Sequence, residues 1–172
     1  MNQRETQIQD LDHPTEQLFD LFGVLLQFLV TPHESHDLIS IYRGTLPPGV
    51  FVPLHCHDEP EIFYVTEGVL EIYREGGPSE GWTTATVGEV ITIPNNMKHA
   101  LRNTSTTPFT VVMVARDELY GFFRDIAKPF RAGLLPVPPT PEEMQKLFVA
   151  SAKYHYWMGS PEENEKIGIS LG

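Results

Sequence analysis

The chain has 172 residues, 41% of them hydrophobic, and its 12 Lys and Arg against 23 Asp and Glu give a formal net charge of −11. This length and hydrophobic content are typical of one folded domain and exclude a chain that is disordered throughout. The negative charge argues against nucleic acid and anionic membrane surfaces as partners, because both attract clustered lysine and arginine.

Residues 1–20 are polar and are predicted to form an N-terminal arm. They lack the basic start and apolar run of a signal peptide. Cys56 is the single cysteine, which excludes an intramolecular disulfide. The two observations together favour a cytoplasmic location.

Residues 21–116 contain short runs rich in Val, Ile, Thr, Phe and Tyr, separated by turns with Gly, Pro and Asn. No helical pattern stands between these runs, which argues against a parallel sheet with crossover helices. The sequence therefore predicts an antiparallel β-sandwich or barrel. The predicted strands are Val24–Val30, Leu38–Thr45, Val50–His55, Glu61–Glu67, Val69–Arg74, Trp82–Thr86, Val90–Ile93, Lys98–Asn103 and Phe109–Arg116.

Residues 117–172 have a different character and are predicted to form a helical extension packed on the barrel. Asp117–Ile126 places its apolar residues on one face of a helix, with Asp117 as a suitable N-cap. A proline-rich connector, Phe130–Pro139, follows it. Residues 140–143 then form a capping box with proline at the first helical position.

The apolar spacing after this capping box predicts a helix that continues to Met158 and ends at Gly159. His155 falls on the apolar face of this helix, so we expect it to be packed and hydrogen-bonded. Its aromatic neighbours are expected in the core, with a lid or a dimer contact as alternatives. These neighbours are Tyr154, Tyr156 and Trp157.

The histidines carry the strongest chemical signal. On a strand, His55 and His57 point to the same face about 7 Å apart, and Glu61 keeps this parity at the start of the next strand. His99 opens another predicted strand and brings a third imidazole. Three neutral imidazoles and a carboxylate suit Fe, Mn, Ni, Cu or Zn without distinguishing among them. The alternative interpretation of a His-x-His pair taken alone is that both histidines lie on the surface and are solvated.

The spacing of these residues resembles that of the cupin superfamily. The first cupin motif is matched at Gly49, His55, His57, Glu61 and Gly68. The second is matched at Gly88, Pro94, His99 and Asn103. Asn96 stands where the family has glycine, and asparagine tolerates the left-handed backbone that glycine serves there.

This resemblance implies a cupin-type antiparallel β-barrel, a jelly roll or double-stranded β-helix, with short C-terminal helices. It implies that His55, His57, Glu61 and His99 hold one divalent transition metal ion per chain. The extension is similar to that of single-domain cupins resembling quercetin dioxygenases, in which the matching glutamate acts as a base. Glu61 is accordingly a candidate general base.

Three apolar residues are expected to line the cavity beside the metal and to bind the substrate. They are Phe63, Val65 and Leu101. The favoured function is a metal-dependent, dioxygenase-like oxidoreductase that acts on a small aromatic or enol-type molecule. The alternatives are a non-catalytic ligand-binding or sensing barrel, and an isomerase or decarboxylase, since one fold hosts many functions. The resemblance also implies a homodimer, to which Phe22–Val30 could add a strand.

Overall fold

The computed structural model describes residues 17–36, 38–131 and 140–171. Most of the predicted arm and most of the predicted connector lie outside these ranges. The strands are β1 (Phe19–Leu21), β2 (Val24–Val30), β3 (Ser40–Leu46), β4 (Phe51–Cys56), β5 (Glu61–Glu67), β6 (Val69–Arg74), β7 (Gly81–Thr86), β8 (Val90–Ile93), β9 (His99–Arg102), β10 (Phe109–Ala115), β11 (Lys128–Pro129) and β12 (Trp157–Met158). The helices are α1 (Asp117–Ile126), α2 (Pro141–Lys153) and α3 (Pro161–Lys166), and a 3₁₀ turn covers Pro32–Ser35.

The strands form two antiparallel sheets. One has seven strands in the order β11-β1-β2-β3-β10-β5-β8, and the other has five in the order β12-β4-β9-β6-β7. Within the described ranges no strand is hydrogen-bonded to both sheets, so they form an open jelly roll and not one closed barrel. The predicted all-β cupin fold with short C-terminal helices is confirmed.

The core lies between the two sheets. Along β3 every second residue is buried, as expected for a strand with one face against a core. Leu70 and Ile72 of β6 contribute from the other sheet and are completely buried. Complete burial of such a side chain stabilises the fold by roughly 1.5–3 kcal/mol.

All nine predicted strands are present, with bounds that differ by at most two residues. The sequence analysis missed β1, β11 and β12, because runs of two or three residues carry no periodic signal. It also treated Phe22–Val30 as free to pair with a second copy. In the structure β2 is hydrogen-bonded to β1 on one side and β3 on the other, so this strand is already paired within the chain.

The end of α2 corrects a prediction. The helix stops at Lys153, and His155 is exposed with a left-handed backbone (φ 58°) instead of lying on an apolar helical face. The chain turns there because β4 offers an open edge, with which β12 pairs. Gly159 does not end a helix. Its N–H donates to the Leu54 carbonyl at 2.7 Å, and a Cβ at this glycine would come within 3.1 Å of Leu54.

The extension is anchored to β4 by one buried side chain. Asn164 in α3 is completely buried, and its Oδ1 accepts a hydrogen bond from the Leu54 N–H at 2.8 Å. Its Nδ2 donates to the carbonyls of Gly159 and Ser160. Among the described residues, no helix has both the length and the apolar character needed to cross a bilayer.

Candidate metal centre

Both sheets contribute to one cluster of polar side chains in the interior. β4 and β9 pair so that His55 lies opposite His99. His57 follows directly after the end of β4, and Glu61 opens β5 in the other sheet. One potential ligand atom from each residue lies within 4.8 Å of all the others. The structure thus brings together all four residues that the sequence analysis selected.

Backbone carbonyls orient two of the imidazoles. His55 Nδ1 donates to the Pro53 carbonyl at 2.7 Å, and His99 Nδ1 donates to the Met97 carbonyl at 2.8 Å. A carbonyl oxygen can only accept, so each Nδ1 carries a proton, and Nε2 is the nitrogen left to bind a metal when the ring is neutral. This is the arrangement by which proteins fix the tautomer of metal-binding histidines.

The turn before β9 holds the loop that carries His57. Asn96 has the left-handed backbone expected of it (φ 59°), and its N–H donates to the His57 carbonyl at 2.7 Å. Its side-chain amide also donates to Asp58 at 2.8 Å. Asparagine therefore replaces the usual glycine and adds a side-chain hydrogen bond that glycine lacks.

The contacts inside the cluster fit a bound cation. His99 Nε2 is 2.9 Å from Glu61 Oε2. Two ligands at right angles and each about 2.1 Å from one ion lie about 3.0 Å apart, close to this separation. Both ring nitrogens of His57 are buried and have no hydrogen-bond partner among the described residues, which is costly unless something binds them. The donor set and its unpaired atoms therefore fit one divalent transition metal ion.

The protonation states suit metal binding. Burial disfavours the charged form of Glu61, but the imidazoles of His57 and His99 hold its pKa well below its ordinary range. Burial, together with the nearby His99 and His57, lowers the pKa of His55 to about 3. The cluster thus presents an ionised carboxylate and a neutral imidazole at His55, the forms that bind a metal.

A cavity of about 150 Å³ adjoins the cluster, with His55 and Glu61 at its polar end. Phe63 and Leu101, two of the predicted lining residues, border it. Val65 is completely buried in the core and is not among the described residues that border the cavity. The C-terminal extension supplies much of the remaining wall, including Leu119, Phe122, Phe123, Ile126, Leu147 and Tyr156.

Sequence reasoning missed two buried polar residues near the cluster. Glu59 Oε1 accepts from the Leu119 N–H at 3.0 Å and so caps α1, a role that the sequence analysis gave to Asp117. Burial raises the pKa of Glu59. Tyr156 stacks on His57 with ring centroids 4.7 Å apart. The sequence analysis singled out the aromatic residues Tyr154, Tyr156 and Trp157 together. No local pattern shows that Tyr156 is the one among them that borders the cavity.

Comparisons with known proteins agree with the fold. A family model described as "Cupin domain" matches residues 42–115. The chain is 30% identical over 118 residues to germin-like protein subfamily 2 member 2 of Arabidopsis thaliana, covering 67% of this chain and 52% of that protein. It is 28% identical over 85 residues to dimethylsulfoniopropionate lyase DddQ of Ruegeria pomeroyi, covering 49% of this chain and 40% of the lyase.

A similar solved structure is a predicted oxalate decarboxylase from Thermotoga maritima. It is 23% identical with a TM-score of 0.55, and the match covers 64% of this chain and 98% of that one. At this identity the likeness shows the fold alone. The chain spans about half the length, or less, of the two curated relatives.

Proposed function

Because this chain belongs to the cupin superfamily, we propose that it is a metal-dependent oxidoreductase of the dioxygenase type that acts on a small aromatic or enol-type molecule. One observation carries the proposal. A buried cluster of three histidines and a glutamate stands at one end of a cavity whose other walls are apolar. This arrangement places a reactive centre beside a pocket for an apolar substrate.

In this proposal His55, His57, Glu61 and His99 hold the ion. When bound, a divalent transition metal supplies Lewis acidity and electron relay in the pocket. Nδ1 bonds of His55 and His99 to backbone carbonyls keep their Nε2 atoms aimed at the ion. The ion is Fe, Mn, Ni, Cu or Zn, since the ligand set suits each of them.

Glu61 has a second role, as the general base. Its carboxylate is ionised and borders the cavity, so it can take a proton from an enol or phenol hydroxyl bound there. The surrounding apolar walls keep water from competing for this proton and strengthen the electrostatic interactions in the site.

One alternative is a reaction without oxygen, such as an isomerisation, decarboxylation or elimination that uses the same base. The 28% identity to a protein named as a lyase favours this second candidate. A barrel that binds or senses a ligand without turnover is the remaining possibility.

Elemental analysis of the protein purified without added metal tests the site. We expect about one transition metal ion per chain. His99→Ala should lose it, whereas His33→Ala, which changes an exposed histidine in the 3₁₀ turn, should keep it. Absence of metal from the wild-type protein, even after reconstitution, would overturn the proposal.

Oxygen uptake then separates the reaction classes. The loaded protein is incubated with catechols and cyclic enols under ¹⁸O₂. A dioxygenase incorporates both oxygen atoms into the product. Turnover that continues without oxygen favours the isomerase, decarboxylase or lyase alternative, and bound metal without any turnover favours the binding barrel.

A further inference from the structure

We propose that Tyr156 determines substrate specificity: its hydroxyl donates a hydrogen bond to an acceptor oxygen on the substrate, an uncharged molecule about the size of one six-membered ring. The inference rests on the proposed function in one respect only, namely that the cavity beside the metal cluster is the substrate site. It adds a recognition group that lies outside the segment matching the cupin domain.

The first observation is an unpaired hydroxyl in the interior. Tyr156 is 8% exposed and borders the cavity, and its hydroxyl is buried with no hydrogen-bond partner in the described part of the chain. A buried hydroxyl without a partner is costly, and folded proteins rarely contain one without a reason. An acceptor on a bound ligand would remove that cost.

The second observation is that the Tyr156 ring cannot easily turn away. It stacks against His57 on one side, at 4.7 Å, and against Phe122, at 4.4 Å. Both neighbours are buried, so a rotation of the ring would disturb a packed aromatic group. The hydroxyl is therefore held in place before any ligand binds, which reduces the entropy lost on binding.

The third observation places Tyr156 at the polar end of the cavity. Tyr156 borders the cavity together with His55 and Glu61. Its ring also lies 4.7 Å from that of His57, another candidate ligand. A ligand in the cavity can therefore meet the phenol and the candidate base at the same end.

The cavity sets the size and charge of the ligand. Its volume of about 150 Å³ matches that of an apolar protein cavity known to hold benzene. Among the described residues around it there is no lysine or arginine. A carboxylate or phosphate away from the metal end would be buried without a counter-charge, which is strongly unfavourable.

Two probes of equal shape test the donor. Cyclohexanone carries an acceptor oxygen where methylenecyclohexane carries a CH₂ group, and both are uncharged six-membered rings. Their dissociation constants are measured by ligand-observed NMR on the full chain, in both metal-free and metal-loaded protein. The quantity compared is the preference for the ketone over the alkene, so that general changes of the cavity cancel.

We expect Tyr156→Phe to lower this preference about tenfold, the usual effect of one lost hydrogen bond in a buried site. Tyr154→Phe is the matched control. It removes the same hydroxyl from a half-buried tyrosine two residues away, which is not among the residues bordering the cavity. This control should keep the wild-type preference.

Thermal unfolding without ligand is the second readout. Because the hydroxyl has no partner in the free protein, Tyr156→Phe should unfold at the same temperature or a higher one. A fall of several degrees would mean that the hydroxyl is bonded within the fold, and it would overturn the inference. An unchanged ketone preference in Tyr156→Phe, or no saturable binding of either probe, would also overturn it. Failure of the proposed function would be seen in a different experiment, as absence of bound metal in the elemental analysis. The titration of the metal-free protein with the two probes would still test the role of Tyr156.

Discussion

The candidate metal ligands come from one region of the chain, whereas two regions share the wall of the cavity. All four candidate ligands lie between residues 55 and 99, inside the segment that matches the cupin domain. Much of the aromatic and aliphatic wall comes from α1, α2 and the turn before β12, after that segment. Substitutions in α1 and α2 can therefore change the cavity wall without changing a candidate ligand.

The two regions are joined by specific polar contacts as well as by packing. Glu59, next to the ligands, caps α1 through the Leu119 N–H. Asn164 in the extension bonds to Leu54, next to His55 in β4. The contrast between the regions can therefore be tested by changes in the cluster, in these junctions and in the sheet away from both.

The largest effect is expected from Glu61→Gln. Glutamine keeps the shape but not the charge of the carboxylate, so metal affinity should fall at least about 100-fold, because even outer partners of metal ligands are worth 10–100-fold. Metal titration of the purified protein checks this. Glu67→Gln, a change at an exposed position of the same strand, is the control. Stoichiometric metal in Glu61→Gln would remove Glu61 from the ligand set.

Asn164→Ala should produce the largest loss of stability. The change leaves the buried Leu54 N–H without its acceptor and removes the side-chain donor to the Gly159 carbonyl, at a cost of about 3 kcal/mol in the free energy of unfolding. Urea unfolding measures it, with Asn95→Ala at an exposed hydrogen bond as control. A loss below about 1 kcal/mol would show that packing alone holds the extension.

The same variant sharpens the comparison between the regions. If Asn164→Ala is studied below its unfolding transition, we expect near-normal metal affinity and weaker binding of the ring probes. Loss of both together would mean that the extension also shapes the ligand cluster.

A smaller effect is expected where Glu59 caps α1. Glu59→Ala leaves the Leu119 N–H without its acceptor, and loss of a cap typically costs about 1 kcal/mol. Glu59→Gln keeps an acceptor oxygen and should restore most of this loss in the same unfolding experiment. If Glu59→Gln lowers the free energy of unfolding as much as Glu59→Ala, the charge of Glu59 stabilises the fold and its hydrogen bond does not.

The smallest change in stability is expected at the partly exposed ion pair between Glu71 and Arg102, which lies away from the cavity. Burial opposes ionisation of Glu71, but Thr104 and Arg102 hold its pKa below the ordinary range. A carboxylate with a lowered pKa in the folded state stabilises the protein above its unfolded pKa, and this contribution is lost as the pH falls through the folded value. Glu71→Gln should therefore cost up to about 1 kcal/mol at pH 7.

Unfolding of Glu71→Gln and wild type at several pH values checks the sign. The difference should shrink as the pH falls below about 4, the ordinary range for glutamate. A difference that grows on acidification would contradict the assigned cause. Glu75→Gln, which changes another ion pair of the domain, serves as the reference for exposed charges.

Much of the fold and the cluster could be predicted because the signals are local. Alternation along a strand identifies its buried face, and His55, His57 and Glu61 are separated by fixed numbers of residues. The left-handed turn at Asn96 was also predicted, since few residue types tolerate that backbone. Each of these features depends on residues close together in the chain.

The errors arose where distant segments meet. The apolar residues keep a helical spacing through His155, but α2 ends before it. The chain instead forms β12, which pairs with the edge of β4. Asp117 is a good N-cap by type, yet Glu59 reaches α1 from 60 residues away and takes that role. Val65 was predicted to line the cavity but is buried in the core away from it. Which residues of a strand border the cavity depends on how far the cavity extends between the two sheets.

By itself the sequence determined nine of the strands and the shared face of His55 and His57, because backbone geometry sets the spacing of side chains along a strand. Its resemblance to cupins implied the jelly roll and the four residues able to hold a metal. Only the tertiary structure decided that Tyr156 borders the cavity, that Glu59 joins the cluster to α1, and that Asn164 secures the extension. Those contacts form between surfaces that become adjacent only after both sheets have packed. The periodic pattern of apolar residues does not show which surfaces will become adjacent.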